Sequence, residues 1–97
     1  MDPDRQIHIP ASFVMIYTPT GQRRPSVPRP WLEERHDLCE DLAQLLAEKV
    51  KEKVWQLGIT ESDALDRIAM GLAELSLDLS ESEQTWVLAR TQEVLAH

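Results

Sequence analysis

The stretch Glu33–Asp41, EERHDLCED, gathers most of the side chains here whose chemistry invites a functional reading. Glu33 and His36 stand in the Glu-x-x-His spacing with which helical bundles hold two metal ions, but that chemistry needs a second such motif and further inward-facing glutamates. This chain has one motif. His36 and Glu40, four residues apart, share a helix face and offer two ligand positions, where a closed zinc site needs four. The other histidines, His8 and His97, lie near the chain ends. Cys39 follows His36 by three residues, a spacing that places a thiol beside a potential base on one helix face. Its neighbours Glu40 and Asp41 would keep the thiol protonated rather than stabilise a thiolate. Cys39 therefore reads as a small core residue, and the stretch as the acidic, solvated start of a helix with no metal site.

Other catalytic patterns are missing from the sequence. The three glycines, Gly21, Gly58 and Gly71, are scattered, so no phosphate loop or dinucleotide fingerprint can be assembled. No Ser/His/Asp set with supporting strands is visible. The expectation is a protein that is not an enzyme, without catalytic residues or cofactors.

Recognition is the remaining chemistry, and Thr18–Trp31, TPTGQRRPSVPRPW, is where it concentrates. This strap holds four of the six prolines together with Arg23, Arg24 and Arg29. Proline fixes φ and removes a backbone donor, so neither a helix nor a central strand suits the segment. Extended or polyproline II backbone is expected, with a turn at Gly21. Three roles are open: a structural strut, a PxxP docking peptide through Pro25 and Pro28, and, through Arg-Arg-Pro-Ser, a basic-directed phosphorylation site at Ser26. The cation that usually flanks a PxxP ligand is misplaced, which favours the strut. Trp31, Trp55 and Trp86 complete the candidates, because tryptophan is enriched where proteins meet; finishing the rim of a small core is the plainer alternative for them.

Charge is uneven along the chain. Residues 1–30 carry four basic and two acidic groups, a net +2, and residues 31–97 carry six and fifteen, a net −9. The total of −7 argues against nucleic acid, which needs clustered lysine and arginine. A positive arm precedes a negative body, and it can lie on its own body or on that of a second copy. One cysteine excludes an intrachain disulfide framework and suits a reducing compartment. The opening MDPDRQIHIP does not resemble a signal peptide, and no apolar run reaches the roughly 18 residues of a membrane span. A cytoplasmic protein is expected.

Four elements must position these residues. Ile9, Phe13, Ile16 and Tyr17 share one helical face, and Pro10 suits a first turn. A short helix over about 10–17 is expected, with a strand as the alternative that the β-branched residues support. A long helix should run from Pro30 or Trp31 to Leu57, burying Leu38, Leu42, Leu45, Leu46, Val50, Val54 and Leu57, with Ala43 and Ala47 widening the stripe. Gly58 should end it. Thr60 should cap a second helix with Leu65, Ile68, Leu72 and Leu75 inward, in which Gly71 marks a close helix approach or is merely tolerated. Ser80 and Glu83 form a capping box for a third helix, over about 81–95.

The fold expected is all-α: a three-helix bundle with a long first helix, preceded by a short N-terminal helix and the proline-rich strap. Two regions follow, 1–30 as clip and strap and 31–97 as the helical domain. At 1.5 Å per residue the long helix is roughly 40 Å and its partners roughly 23 Å. Its N-terminal half would be bare unless segment 9–17 or a second subunit covers it.

The run IHIPASFVMIYTPTGQRRPSVPRPW, followed by RHDLCEDLA, resembles a family of small uncharacterised proteobacterial proteins. The likeness rests on Ile9-Pro10-Ala11-Ser12-Phe13 and on Cys39-Glu40-Asp41-Leu42. Some members bear the description ATPase with chaperone activity, for which this chain has no matching nucleotide motif. The resemblance implies a bacterial cytosolic protein. The functional expectation is an interaction or adaptor module that binds another protein or a second copy of itself through Arg23, Arg24, Arg29, Trp31, Trp55 and Trp86. The alternative is a DNA-linked regulator or antitoxin-like protein with helices 2 and 3 as a helix-turn-helix, in which Arg67 and Arg90 would be the only cations of residues 60–97.

Overall fold

Proline, glycine and short polar caps set the element boundaries. A computed structural model describes residues 8–74 and 78–97. It contains α1 (Ala11–Val14), a single 3₁₀ turn (Met15–Tyr17), α2 (Arg29–Leu57), α3 (Glu61–Glu74) and α4 (Glu81–Leu95). No strand occurs among the described residues. The protein is all-α, a long helix packing against two others.

Local chemistry explains most of the boundaries. Pro10, extended at ψ 145°, precedes α1, so helical spacing prevails over β-branched content in this segment. Pro30 sits inside the first turn of α2, where its missing N–H has no partner to lose. Gly58 closes α2 with φ +65°, its N–H donating to the Val54 carbonyl. The Thr60 hydroxyl accepts from the Asp63 N–H at 3.1 Å and starts α3. At α4 the capping box is complete: Ser80 accepts from the Glu83 N–H, and the Glu83 carboxylate accepts from the Ser80 N–H at 2.8 Å. Leu75, expected in the α3 stripe, lies outside the described residues.

Packing divides the chain into two compact units, Met1–Leu38 and Cys39–His97, with the division inside α2. Composition breaks earlier, at residue 30. In the first unit, the clip expected from sequence lies on the opening turns of α2. Phe13 is fully buried, with its ring centroid 5.4 Å from that of His36 and 5.5 Å from that of Tyr17. Tyr17 meets Trp31 edge to face at 5.1 Å, and the Arg35 guanidinium lies 5.8 Å from the Trp31 ring centre. Ile9 and Leu32 are buried as well. His36 is thus one of the buried residues of this small core.

The second unit centres on Val50, Ala64 and Ile68, against which Leu46, Val54, Ile59, Leu65 and Leu95 pack. From α4, Trp86, Val87 and Thr91 are buried, the Thr91 hydroxyl donating to the Val87 carbonyl at 2.7 Å. The α2 stripe departs from expectation. Its buried face reads Leu32, His36, Cys39, Ala43, Ala47 and Val50, while Leu38 is 49% and Leu45 and Leu57 each 53% exposed. Leucines occupy two faces of this helix, and the small-residue column is the one that turns inward. A column of small side chains leaves the recess into which large side chains of neighbouring helices fit at interior density. Gly71 marks no close approach, since a Cβ there would meet no heavy atom within 4 Å.

Candidate interaction surface

The strap is a closed loop rather than a straight polyproline rod. The Gln22 N–H donates to the Pro19 carbonyl at 3.0 Å, and Gly21 takes φ +83°, the turn position that glycine alone fills without strain. Thr18 then anchors the start of the loop, its hydroxyl donating to the Val14 carbonyl at 2.8 Å. Ser26 latches the end: its N–H and its hydroxyl both donate to the Tyr17 carbonyl, at 2.8 and 3.1 Å. The loop leaves and rejoins the chain at the foot of α1.

Between α1 and this loop lies an open groove of about 720 Å³. Ala11, Val14 and Met15 line it together with Pro19, Gln22 and Arg23 of the loop. Met15 is 71% exposed there. A large unbranched apolar side chain left uncovered beside a cation is the feature that the sequence reading missed. Its signal was present, because Ala11, Val14, Met15 and Thr18 fall at i, i+3, i+4 and i+7, a second apolar face on the clip.

The six candidates separate. Arg23 lines the groove and Arg24, next in the chain, is exposed. Arg29 is engaged on its own helix, its Nε donating to Glu33 at 3.0 Å. Trp31 is partly covered by Tyr17 and Arg35. Trp86 is 8% exposed and belongs to the core of α4, so it cannot serve a surface without unfolding. Trp55 is the opposite case, 88% exposed near the end of α2. Tryptophan in water is costly enough that this placement is the most conspicuous among the described residues.

The charged residues of EERHDLCED are structural where they are paired. Glu40 receives a bidentate contact from Arg90 of α4, Nε to Oε1 at 2.8 Å and Nη2 to Oε2 at 3.1 Å, and a third donor from Gln44 at 2.8 Å. Arg90 also reaches Glu93 at 3.2 Å. Hydrogen bonding to Glu40 holds the Arg90 guanidinium pKa above its ordinary value, against the opposing effect of burial. Lower on α2, Lys49 pairs with Glu52 at 3.4 Å. Cys39 is buried. Among the described residues no three or more His, Cys, Asp or Glu side chains are grouped so as to hold a metal ion, and no helix is long and apolar enough to cross a membrane.

Comparison of the chain with protein-family models, with curated proteins and with solved structures finds no match.

Proposed function

We propose that this protein is a non-catalytic interaction module that binds another protein chain in the groove between α1 and the strap. The observation that carries the reading is Met15, 71% exposed in a groove that Arg23 also lines. An apolar floor edged by arginine suits an acidic segment that presents a large apolar or aromatic side chain. The described residues 8–30 support this choice of partner, since they carry Arg23, Arg24 and Arg29 and no acid. On this reading the strap shapes the groove and is not itself the docked peptide: its Ser26 N–H and hydroxyl are already used internally. A DNA-reading role has less support. Arg90, the single cation of α4, is bound to Glu40 and Glu93.

The test compares the wild-type protein with Met15→Glu and with Arg23→Glu/Arg24→Glu in quantitative affinity capture, followed by titration of each purified captured protein. Met15, Arg23 and Arg24 are exposed, so the variants should keep the wild-type circular dichroism. A partner whose affinity falls in both variants, and which weakens with salt, supports the reading. Binding that is equal across all three proteins refutes it, as does binding to DNA that the groove variants leave unchanged.

A further inference from the structure

The groove is not the only uncovered feature of complementary kind. Trp55 ends a stripe on α2 that begins at Asp41 and passes through Glu48 and Glu52; these four residues follow one another at intervals of seven, four and three, a single helical face, and all are exposed. Lys49 and Lys51 flank the stripe, Lys49 reaching Glu52 at 3.4 Å. The unit that bears it, residues 39–97, holds twelve acidic and five basic groups, a net −7. One unit therefore presents an aromatic side chain at the end of an acidic stripe. The other presents an apolar groove edged with arginine.

We infer that the occupant of the groove is Trp55 of a second copy of this chain, with Glu48 and Glu52 facing Arg23 and Arg24 across the contact. The inference rests on the groove reading above and supplies its partner. The groove, at about 720 Å³, has room for an indole beside Met15, and sulfur against an aromatic ring is a favourable contact. Trp55 and arginine are the residue types that dominate interfaces energetically. The two patches differ, and each copy offers one groove and one tryptophan, so either a reciprocal two-fold pair or a head-to-tail chain of copies satisfies the contact.

Light scattering and sedimentation across a wide dilution series, at low and high salt, test it on the full chain. The wild type should associate with rising concentration and dissociate with salt. Trp55→Ala, at a site too exposed to disturb folding, should weaken self-association about 30-fold, the effect of truncating a hot spot of roughly 2 kcal/mol. Arg23→Glu/Arg24→Glu should do so as well. A mixture of the two variants should regain association, because one retains the groove and the other the tryptophan. A wild type that stays monomeric throughout overturns the inference, and so does association that survives Trp55→Ala or a mixture that does not recover. The groove reading fails separately, when Met15→Glu leaves the binding of every captured partner unchanged.

Discussion

Replacing Phe13 with alanine tests the clip most directly. The ring is fully buried and lies 5.4 Å from His36 and 5.5 Å from Tyr17, so truncation removes the apolar contact by which α1 is held to the first turns of α2. Phenylalanine to alanine in a core costs about 3–5 kcal/mol. At roughly 4 °C per kcal/mol for a chain of this size, the melting temperature should fall by about 12–20 °C if the chain unfolds as one cooperative system. The alternative is that the N-terminal unit, only 38 residues long, opens locally while the helices of residues 39–97 persist. Hydrogen exchange separates the two outcomes. Local opening strips protection from residues 11–17 and 29–38 alone, and global destabilisation lowers it everywhere. Phe13→Leu, which keeps most of the volume, should recover most of the loss. The reasoning is refuted if Phe13→Ala moves the melting temperature by less than about 2 °C and leaves the protection of residues 11–17 intact, since either effect alone would betray the lost anchor.

Other perturbations have definite signs. Gly71→Ala should stabilise the protein by about 0.5–1 kcal/mol, because an added Cβ meets nothing within 4 Å and the backbone is already helical; Gly58→Ala should destabilise it by about 1–2 kcal/mol, because φ is +65° there. Both are read by thermal denaturation. Ser80→Ala should cost about 1 kcal/mol through loss of the α4 capping box, measured in denaturant. A double-mutant cycle of Glu40→Gln and Arg90→Gln should return a coupling of about 0.5–1 kcal/mol, since both side chains are partly exposed and solvent screens the pair. Salt should shrink that coupling. Alkali should not: the Arg90 pKa is raised on folding, so its contribution is complete below the ordinary arginine value and is lost only as pH rises through a still higher one.

Much of the architecture was legible because it is set locally. Gly58, Thr60 and the Ser80–Glu83 box act within a few residues of themselves, and each holds the boundary its type suggests. The clip was legible for a less local reason, the length mismatch between one long helix and two short ones, which required some other segment to shelter the start of α2. The inward face of α2 was not legible. Periodicity identifies apolar faces without ranking them, and hydrophobicity favours leucine over alanine and cysteine. Packing chose the smaller residues, Cys39, Ala43 and Ala47, and left Leu38 and Leu45 outside. The same limit applies to the tryptophans. Trp55 and Trp86 have equal amphipathic character, and only the direction in which α2 and α4 face decides that one is core and the other surface.

That outward surplus bears on function. Met15, Leu38, Leu45, Trp55, Leu57 and Met70 are all large, apolar and exposed. A chain of 97 residues has little apolar area to spare, because its surface is large relative to its volume. Leaving such side chains in water forgoes stabilisation that a repacked monomer would recover, and it invites non-specific association. Two features of the chain oppose that outcome. Its net charge of −7 makes indiscriminate contact between copies repulsive. On the proposed reading Arg23, which lines the groove, and its neighbour Arg24 would offer the acidic surface one favourable approach. On the proposed reading, apolar area would supply the attraction and charge would select the orientation, so a change that neutralises Arg23 and Arg24 should cost specificity before it costs contact area.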